Sequence, residues 1–408
     1  RLEIKPELTP STTKIVRIIR DKVKLTSNLA TASVHKINNS QTDRKLGVIE
    51  LRSFYGSSGT GPKATDDVEE LILKLKSENT EGLILDLRRN GGGYLSEAVS
   101  MAGLFISRGP VVQVKSTDGK IRKKFDFNPK LTWSGPLIIL VSRYSASASE
   151  IVAGALQNHR RALIVGDKTT HGKGTVQSLI QMNLPFNYNI ANGKKSAAKI
   201  TIQKYYLPSG ESTQIQGVKS DISMPSINHH LPIGESDLEN SLICDSIVPV
   251  NFRRPLNEFV YKKEHVLELQ KKSFDRQNAL PEFQYLKKNV AWYKNKRNET
   301  TLSLNLKNRI VAKKEDKKFT NTMNDSFDKL LDSAFSKKNI TLNIVDSQNM
   351  KSLEVRGENN SSKEQNDNFM APKNFDIRLH ESLRIMSDWI DLIENRNLTH
   401  KEESNLEI

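Results

Sequence analysis

Apolar residues along the chain fall into short unbroken runs separated by stretches of helical spacing. Leu83-Ile84-Leu85-Asp86-Leu87, Leu137-Ile138-Ile139-Leu140-Val141 and Ala162–Gly166 have the length and make-up of strands buried on both faces. Between the first two, Leu95–Ile106 has a 3.6 period, and ahead of them Val68, Leu71, Ile72 and Leu75 form one helical stripe, with Asp66 and Glu69 spaced as its cap. Leu46–Leu51 predicts a further strand, followed by a Gly/Ser-rich loop at Gly56–Pro62. Val111–Lys115 and Ile121–Phe125 flank Asp118-Gly119 as a hairpin. ITIQKYYL (200–207) and 217–224 close the region with more β-structure. Strands alternating with helices predict an α/β domain over 26–228, in which the polar residues 26–44 read as a link. Residues 1–25 predict a hairpin, RLEI and KIVRIIRDKVKL around a Pro/Ser/Thr turn. Beyond Pro225 the pattern changes. Segments 257–275, 281–296, 321–336 and 376–395 are spaced as helices, which predicts a separate, mainly helical region with Trp292 and Trp389 in its core. The polar run 357–368 reads as a linker.

Composition narrows this picture. A chain of 408 residues suits two or three domains. No apolar run approaches the ~20 residues that cross a bilayer as a helix. Cys244 is the one cysteine, so no internal disulfide forms, and no Cys/His cluster has zinc spacing. The net charge of +15 raises nucleic-acid binding. The lysines are interspersed with Asp and Glu, however, and no basic stripe alternates with aromatics, so the charge reads as a solvated surface.

Candidate chemistry concentrates in three places. Leu83–Leu87 runs into Arg88-Arg89-Asn90-Gly91-Gly92-Gly93, the order expected where backbone N–H groups must approach a ligand closely. Leu137–Val141 leads to Ser145, Ser147 and Ser149 at a helix start, beside N–H groups the helix does not use. Lys173 then stands between Gly172 and Gly174. A serine hydroxyl becomes a nucleophile once a neighbour takes its proton, and an uncharged amine can do so. Ser147-Ala148-Ser149-Glu150 equally fits an S-x-x-E capping box. Local pattern therefore leaves open which serine matters, and whether Ser147 is more than a cap.

Together, DLRRNGGG (86–93), SASASEI (145–151) and GKGTVQ (172–177) resemble the three signatures of the C-terminal processing peptidases. The likeness also covers Thr201–Tyr206 and Gly217-Val218, and through Asp245-Ser246-Ile247, Pro281–Gln284 and Leu302–Asn305 it extends to the C-terminal domain of that family's tail-specific branch. The resemblance implies a ClpP/crotonase-like α/β serine protease core over 26–228, preceded by the end of a PDZ domain (1–25) and followed by a mainly α-helical C-terminal domain (229–408). It implies a Ser–Lys endopeptidase with Ser147 as nucleophile, Lys173 as general base and Gln177 orienting the lysine. The N–H groups of Ala148 and of Gly92 or Gly93 would form the oxyanion hole, with no cofactor or metal. It further implies protein substrates with apolar C-terminal tails and a periplasmic, Gram-negative setting, compatible with an adaptor protein and peripheral membrane association. An uncharged Gln177 suits a neutral lysine, though an extended chain would hold the two ~13 Å apart, so a bend is expected at Gly174. The chain departs from the family in a loop lengthened by Thr170-His171. His171 is thereby an alternative base, and a non-catalytic peptide-binding relative or an acyl-CoA enzyme on the same fold are the rival readings.

Overall fold

The computed structural model describes residues 2–4, 14–16, 28–38, 43–56, 61–181, 197–252, 260–330, 335–345, 352–354 and 375–406. The turn of the first hairpin, most of the Gly/Ser loop and the 357–368 run lie outside these residues. In chain order the strands are β1 (Leu2–Ile4), β2 (Lys14–Val16), β3 (Thr31–Asn38), β4 (Asp43–Glu50), β5 (Gly82–Asp86), β6 (Gly109–Ser116), β7 (Ile121–Asp126), β8 (Leu137–Val141), β9 (Leu163–Gly166), β10 (Thr175–Gln181), β11 (Ala197–Tyr206), β12 (Ile222–Ser223), β13 (Phe335–Ile340), β14 (Asn343–Val345) and β15 (Ser352–Glu354). The helices are α1 (Ala64–Ser77), α2 (Leu95–Gly103), α3 (Ala148–Asn158), α4 (Lys263–Ala279), α5 (Pro281–Asn298), α6 (Leu306–Asp328) and α7 (Ile377–Leu406).

A seven-stranded sheet in the order β12-β9-β8-β5-β4-β3-β13 carries the core. β12, β9, β8, β5 and β4 run parallel, while β3 and β13 are antiparallel additions. The unbroken apolar runs follow from burial on both faces. Leu83, Leu85, Leu137 and Ile139 pack with α1, α2 and α3, through residues such as Leu71, Met101 and Val152. Ile84, Ile138 and Leu140 point the other way, onto Leu269 of α4, Phe283 of α5 and Leu383, Met386 and Trp389 of α7. A second, antiparallel sheet, β10-β11-β6-β7, stands beside this layer. Both predicted hairpins form, β1–β2 and β6–β7.

Several expectations are corrected. Residues 26–44 are not simply a link, because β3 pairs along the whole of β4. Its polar side chains hid it: Ser33 and His35 are buried but hydrogen-bond one another at 3.0 Å. Helix α1 begins at Ala64, with Lys63 rather than Asp66 at the cap position. The third helix of the C-terminal region is Leu306–Asp328 rather than 321–336: only Met323 is buried on it, so no buried apolar stripe marks its register in the sequence. Segment 217–224 contributes only the short β12 and a bridge from Lys219 to Thr169. Trp389 is fully buried, whereas Trp292 lies outside the main core and stacks on Phe319 at 4.8 Å. The C-terminal region is helical but not separate: it supplies the edge strand β13 and one face of the core.

Candidate active site

The site forms at the carboxyl ends of β5 and β8, where the parallel strands hand over to helices. Three serines bind the two turns together through backbone carbonyls after β5. Ser142 Oγ donates to Arg88 O (2.5 Å), Ser145 Oγ to Leu87 O (2.8 Å) and Ser149 Oγ to Asn90 O (2.9 Å). Ser145 and Ser149 are fully buried, so two of the three serines in the candidate cluster are spent on structure. Ser147 is not: unlike Ser145 and Ser149, its hydroxyl donates to none of these carbonyls among the described residues.

Ser147 has φ 57° and ψ −111°, a left-handed conformation that a non-glycine residue adopts at a cost of about 1–3 kcal/mol. Such strain exposes a side chain on a sharp strand-to-helix turn. Opposite it, Gly92 (φ 110°) comes so close that a Cβ there would lie 2.9 Å from Ser147 Cβ, and one on Gly93 would lie 2.2 Å from Phe54 O. The Gly92 N–H is already given to Asn90 Oδ1 at 2.9 Å. Of the expected oxyanion donors, Gly93 and Ala148 retain N–H groups without an acceptor among the described residues.

A fully buried carboxylate, Glu150, joins this turn to the lysine loop. Its Oε2 accepts from the N–H groups of Ser147 (2.8 Å) and Lys173 (3.0 Å), and its Oε1 from Gly172 N (2.7 Å) and Thr170 Oγ1 (2.7 Å). Sequence reading saw Glu150 only as half of a capping box. The half it foresaw is present, but the partners twenty or more residues away carry no local signal. Tyr205 closes the same cluster from β11: its hydroxyl meets the carbonyls of Lys173 and Ser147 (3.3 Å to the latter) and accepts from Thr213 Oγ1 (2.9 Å). The alternation in 200–207 does not mark Tyr205, which shares its face with Thr201 and Gln203 while the apolar Ile200 and Ile202 on the other face are exposed.

Lys173 is half-buried, and its Nζ donates to Gln177 Oε1 at 3.0 Å. The chain shifts register between Val176 and Gln177, so the irregularity lies there in β10 rather than at Gly174. Burial, then the nearby charge of Lys199, hold the Lys173 amine below lysine's ordinary value, against opposing pulls from Glu235 and Glu150. His171 lies in the lengthened loop with Nδ1 3.8 Å from Glu235 Oε2, beyond hydrogen-bond reach. Burial lowers its pKa as well.

A strained serine at a helix start, facing a glycine turn and tied by one carboxylate to a half-buried lysine, sits on a parallel sheet. The chain carries a peptidase family S41 region at residues 45–224 and, at residues 228–391, a match to the C-terminal domain of tail specific protease. It is 36% identical over 328 residues to the tail-specific protease of Haemophilus influenzae, covering 80% of this chain and 45% of that one. It is 32% identical over 234 residues to the carboxy-terminal-processing protease of Bartonella bacilliformis, covering 56% and 49%. The chain thus spans about half the length of these curated relatives. Among solved structures, the photosystem II D1 C-terminal processing protease matches with 30% identity and a TM-score of 0.39, over 53% of this chain and 52% of that one. Among the described residues, no helix is long and apolar enough to cross a membrane.

Proposed function

We propose that the whole protein is a serine endopeptidase that uses a Ser147–Lys173 dyad on proteins bearing apolar C-terminal tails. The observation that carries this reading is Glu150, whose carboxylate holds the backbone of both residues at once, while Ser145 and Ser149 are occupied elsewhere. Neutral Lys173 removes the Ser147 proton as the hydroxyl oxygen attacks a peptide carbonyl carbon. Gln177 Oε1 takes one amine N–H and so turns the nitrogen lone pair away from itself. The oxyanion is received by the N–H groups of Gly93 and Ala148 at the start of α3, where the helix dipole adds to the field. The lysine ammonium then protonates the leaving amine, and a water molecule hydrolyses the acyl-enzyme. Tail preference rests on the resemblance and on the name of the Haemophilus relative; a periplasmic setting and an adaptor rest on the resemblance alone.

Fluorophosphonate labelling and peptide turnover of the full-length protein test this. Ser147→Ala should abolish both while the protein still folds, since losing an N-cap hydroxyl costs about 1 kcal/mol. Lys173→Arg should be as inactive as Lys173→Ala, because a guanidinium stays protonated, whereas His171→Ala should keep most activity. An active Lys173→Arg protein would refute the dyad. An unlabelled wild-type protein would leave the non-catalytic reading.

A further inference from the structure

Asp376, just ahead of the C-terminal helix, reaches the turn after β5 through an ion pair. Arg88, in the turn after β5, fans its guanidinium across two carboxylates. Nε lies 3.0 Å from Asp86 Oδ1, Nη2 2.6 Å from Asp86 Oδ2 and 2.7 Å from Asp376 Oδ2, and Nη1 2.9 Å from Asp376 Oδ1. Asp86 belongs to the strand that carries the turn. Asp376 comes from 288 residues further along, where it also caps α7 by accepting the Leu379 N–H at 3.1 Å. A bidentate arginine–carboxylate pair fixes direction as well as distance.

What Arg88 is attached to gives this pair its consequence. The Arg88 carbonyl is held by Ser142 Oγ, and its neighbours Leu87 and Asn90 by Ser145, Ser149 and the Ala146 N–H. Asn90 in turn donates to Leu51 O and accepts from the Gly92 N–H, which leaves the Gly93 N–H directed by the same turn. Every other anchor of this turn comes from the peptidase core; Asp376 alone, among these, comes from the C-terminal domain.

We propose that Asp376 is a positioning residue of the peptidase site, acting through Arg88 to hold the Leu87–Gly93 turn, and with it the Gly93 N–H, where the oxyanion develops. This rests on the dyad reading above. The C-terminal domain thereby contributes to the chemistry itself, not only to covering the sheet. The arrangement also makes α7 docking and a finished oxyanion site one event: the residue that starts the helix is the residue that clamps the turn.

The test separates clamp from cap. Serine is as good an N-cap as aspartate but cannot span to Arg88 with two oxygens, so Asp376→Ser keeps the cap and removes the clamp. Asp388→Ala, which cuts the 2.6 Å pair from α7 to Arg276 of α4, is the comparison, since it loosens α7 away from the turn. In the full-length protein, Asp376→Ser should lower kcat about 10- to 100-fold with KM little changed, short of the ~100- to 1,000-fold that loss of an oxyanion donor costs. Asp388→Ala should lower the melting temperature while kcat holds. Amide hydrogen exchange over 87–93 should quicken in Asp376→Ser but not in Asp388→Ala. That readout needs no catalysis, so it judges the clamp even if wild-type protein proves inactive, an outcome that would overturn the dyad instead. Wild-type kcat and exchange in Asp376→Ser, or losses that merely follow the folded fraction as in Asp388→Ala, would overturn the positioning role.

Discussion

At the scale of single residues, the site is controlled by a carboxylate that never meets substrate in the scheme above. Glu150 is fully buried and accepts four donors, two on each oxygen, which is the geometry of an ionised group. Burial nonetheless pushes its carboxyl up from 4.5 to about 7, with those donors pulling down. A carboxyl whose folded value exceeds its unfolded one takes up a proton on folding. The stability it contributes is therefore present below about 4.5 and is lost as the pH rises through about 7. The network around the proposed dyad needs the opposite, ionised state, so on that proposal stability and activity diverge with pH at this residue. Glu150→Gln should flatten that fall in thermal stability between pH 4.5 and 7 and lower kcat/KM at least about tenfold, because the amide turns N–H groups toward buried donors at about 1–3 kcal/mol each. An unchanged pH dependence of melting, or wild-type kcat/KM, would count against this account. The sequence showed Ser147, Lys173 and Gln177 as candidates only through three motifs taken together. It could not show that Ser145 and Ser149 are consumed by carbonyls nearly sixty residues away, nor that the Gly92 N–H is taken.

At the scale of elements, legibility follows the contrast between buried and exposed positions. β5, β8 and β9 were plain because the sheet buries them on both faces. α6 was misplaced because its apolar residues Leu306, Ile310 and Val311 are exposed, so no buried stripe marks its register. β3 was missed because two of its buried residues, Ser33 and His35, are polar and satisfy one another. α7 lay in between: its spacing was read correctly, while its polar contacts stayed hidden. Arg44 of β4 reaches Asp391 and Glu394, and Arg276 of α4 reaches Glu381. Packing holds this helix more than charge does, since Trp389 is fully buried against the sheet and lies edge-on to Tyr261. Trp389→Ala should cost about 3–5 kcal/mol in urea unfolding, the range for emptying an aromatic site in a core. A loss below about 1 kcal/mol would mean that α7 is held by its ion pairs instead.

At the scale of the whole molecule, the two matched regions meet near residue 228 in sequence, yet they share one core. Leu46, Ile84, Ile138, Leu140, Leu163 and Val165 of the sheet have their apolar neighbours in α4, α5, α7 and β13. Cutting the chain after 228 would strip one face of a sheet whose strands are apolar on both. It would also open the β3 edge that β13 covers, and free strand edges invite pairing with other chains. The physical folding unit is therefore larger than either region, and the chain with both should unfold in one cooperative transition, with calorimetric and van't Hoff enthalpies agreeing over 26–406. Residues 26–228 alone should aggregate or bind hydrophobic dyes without a sharp transition. Two resolved transitions in the longer chain, or a soluble and cooperatively melting 26–228 fragment, would show that the peptidase core closes its own hydrophobic face. The Asp376 clamp would then be an addition to a finished site rather than its completion.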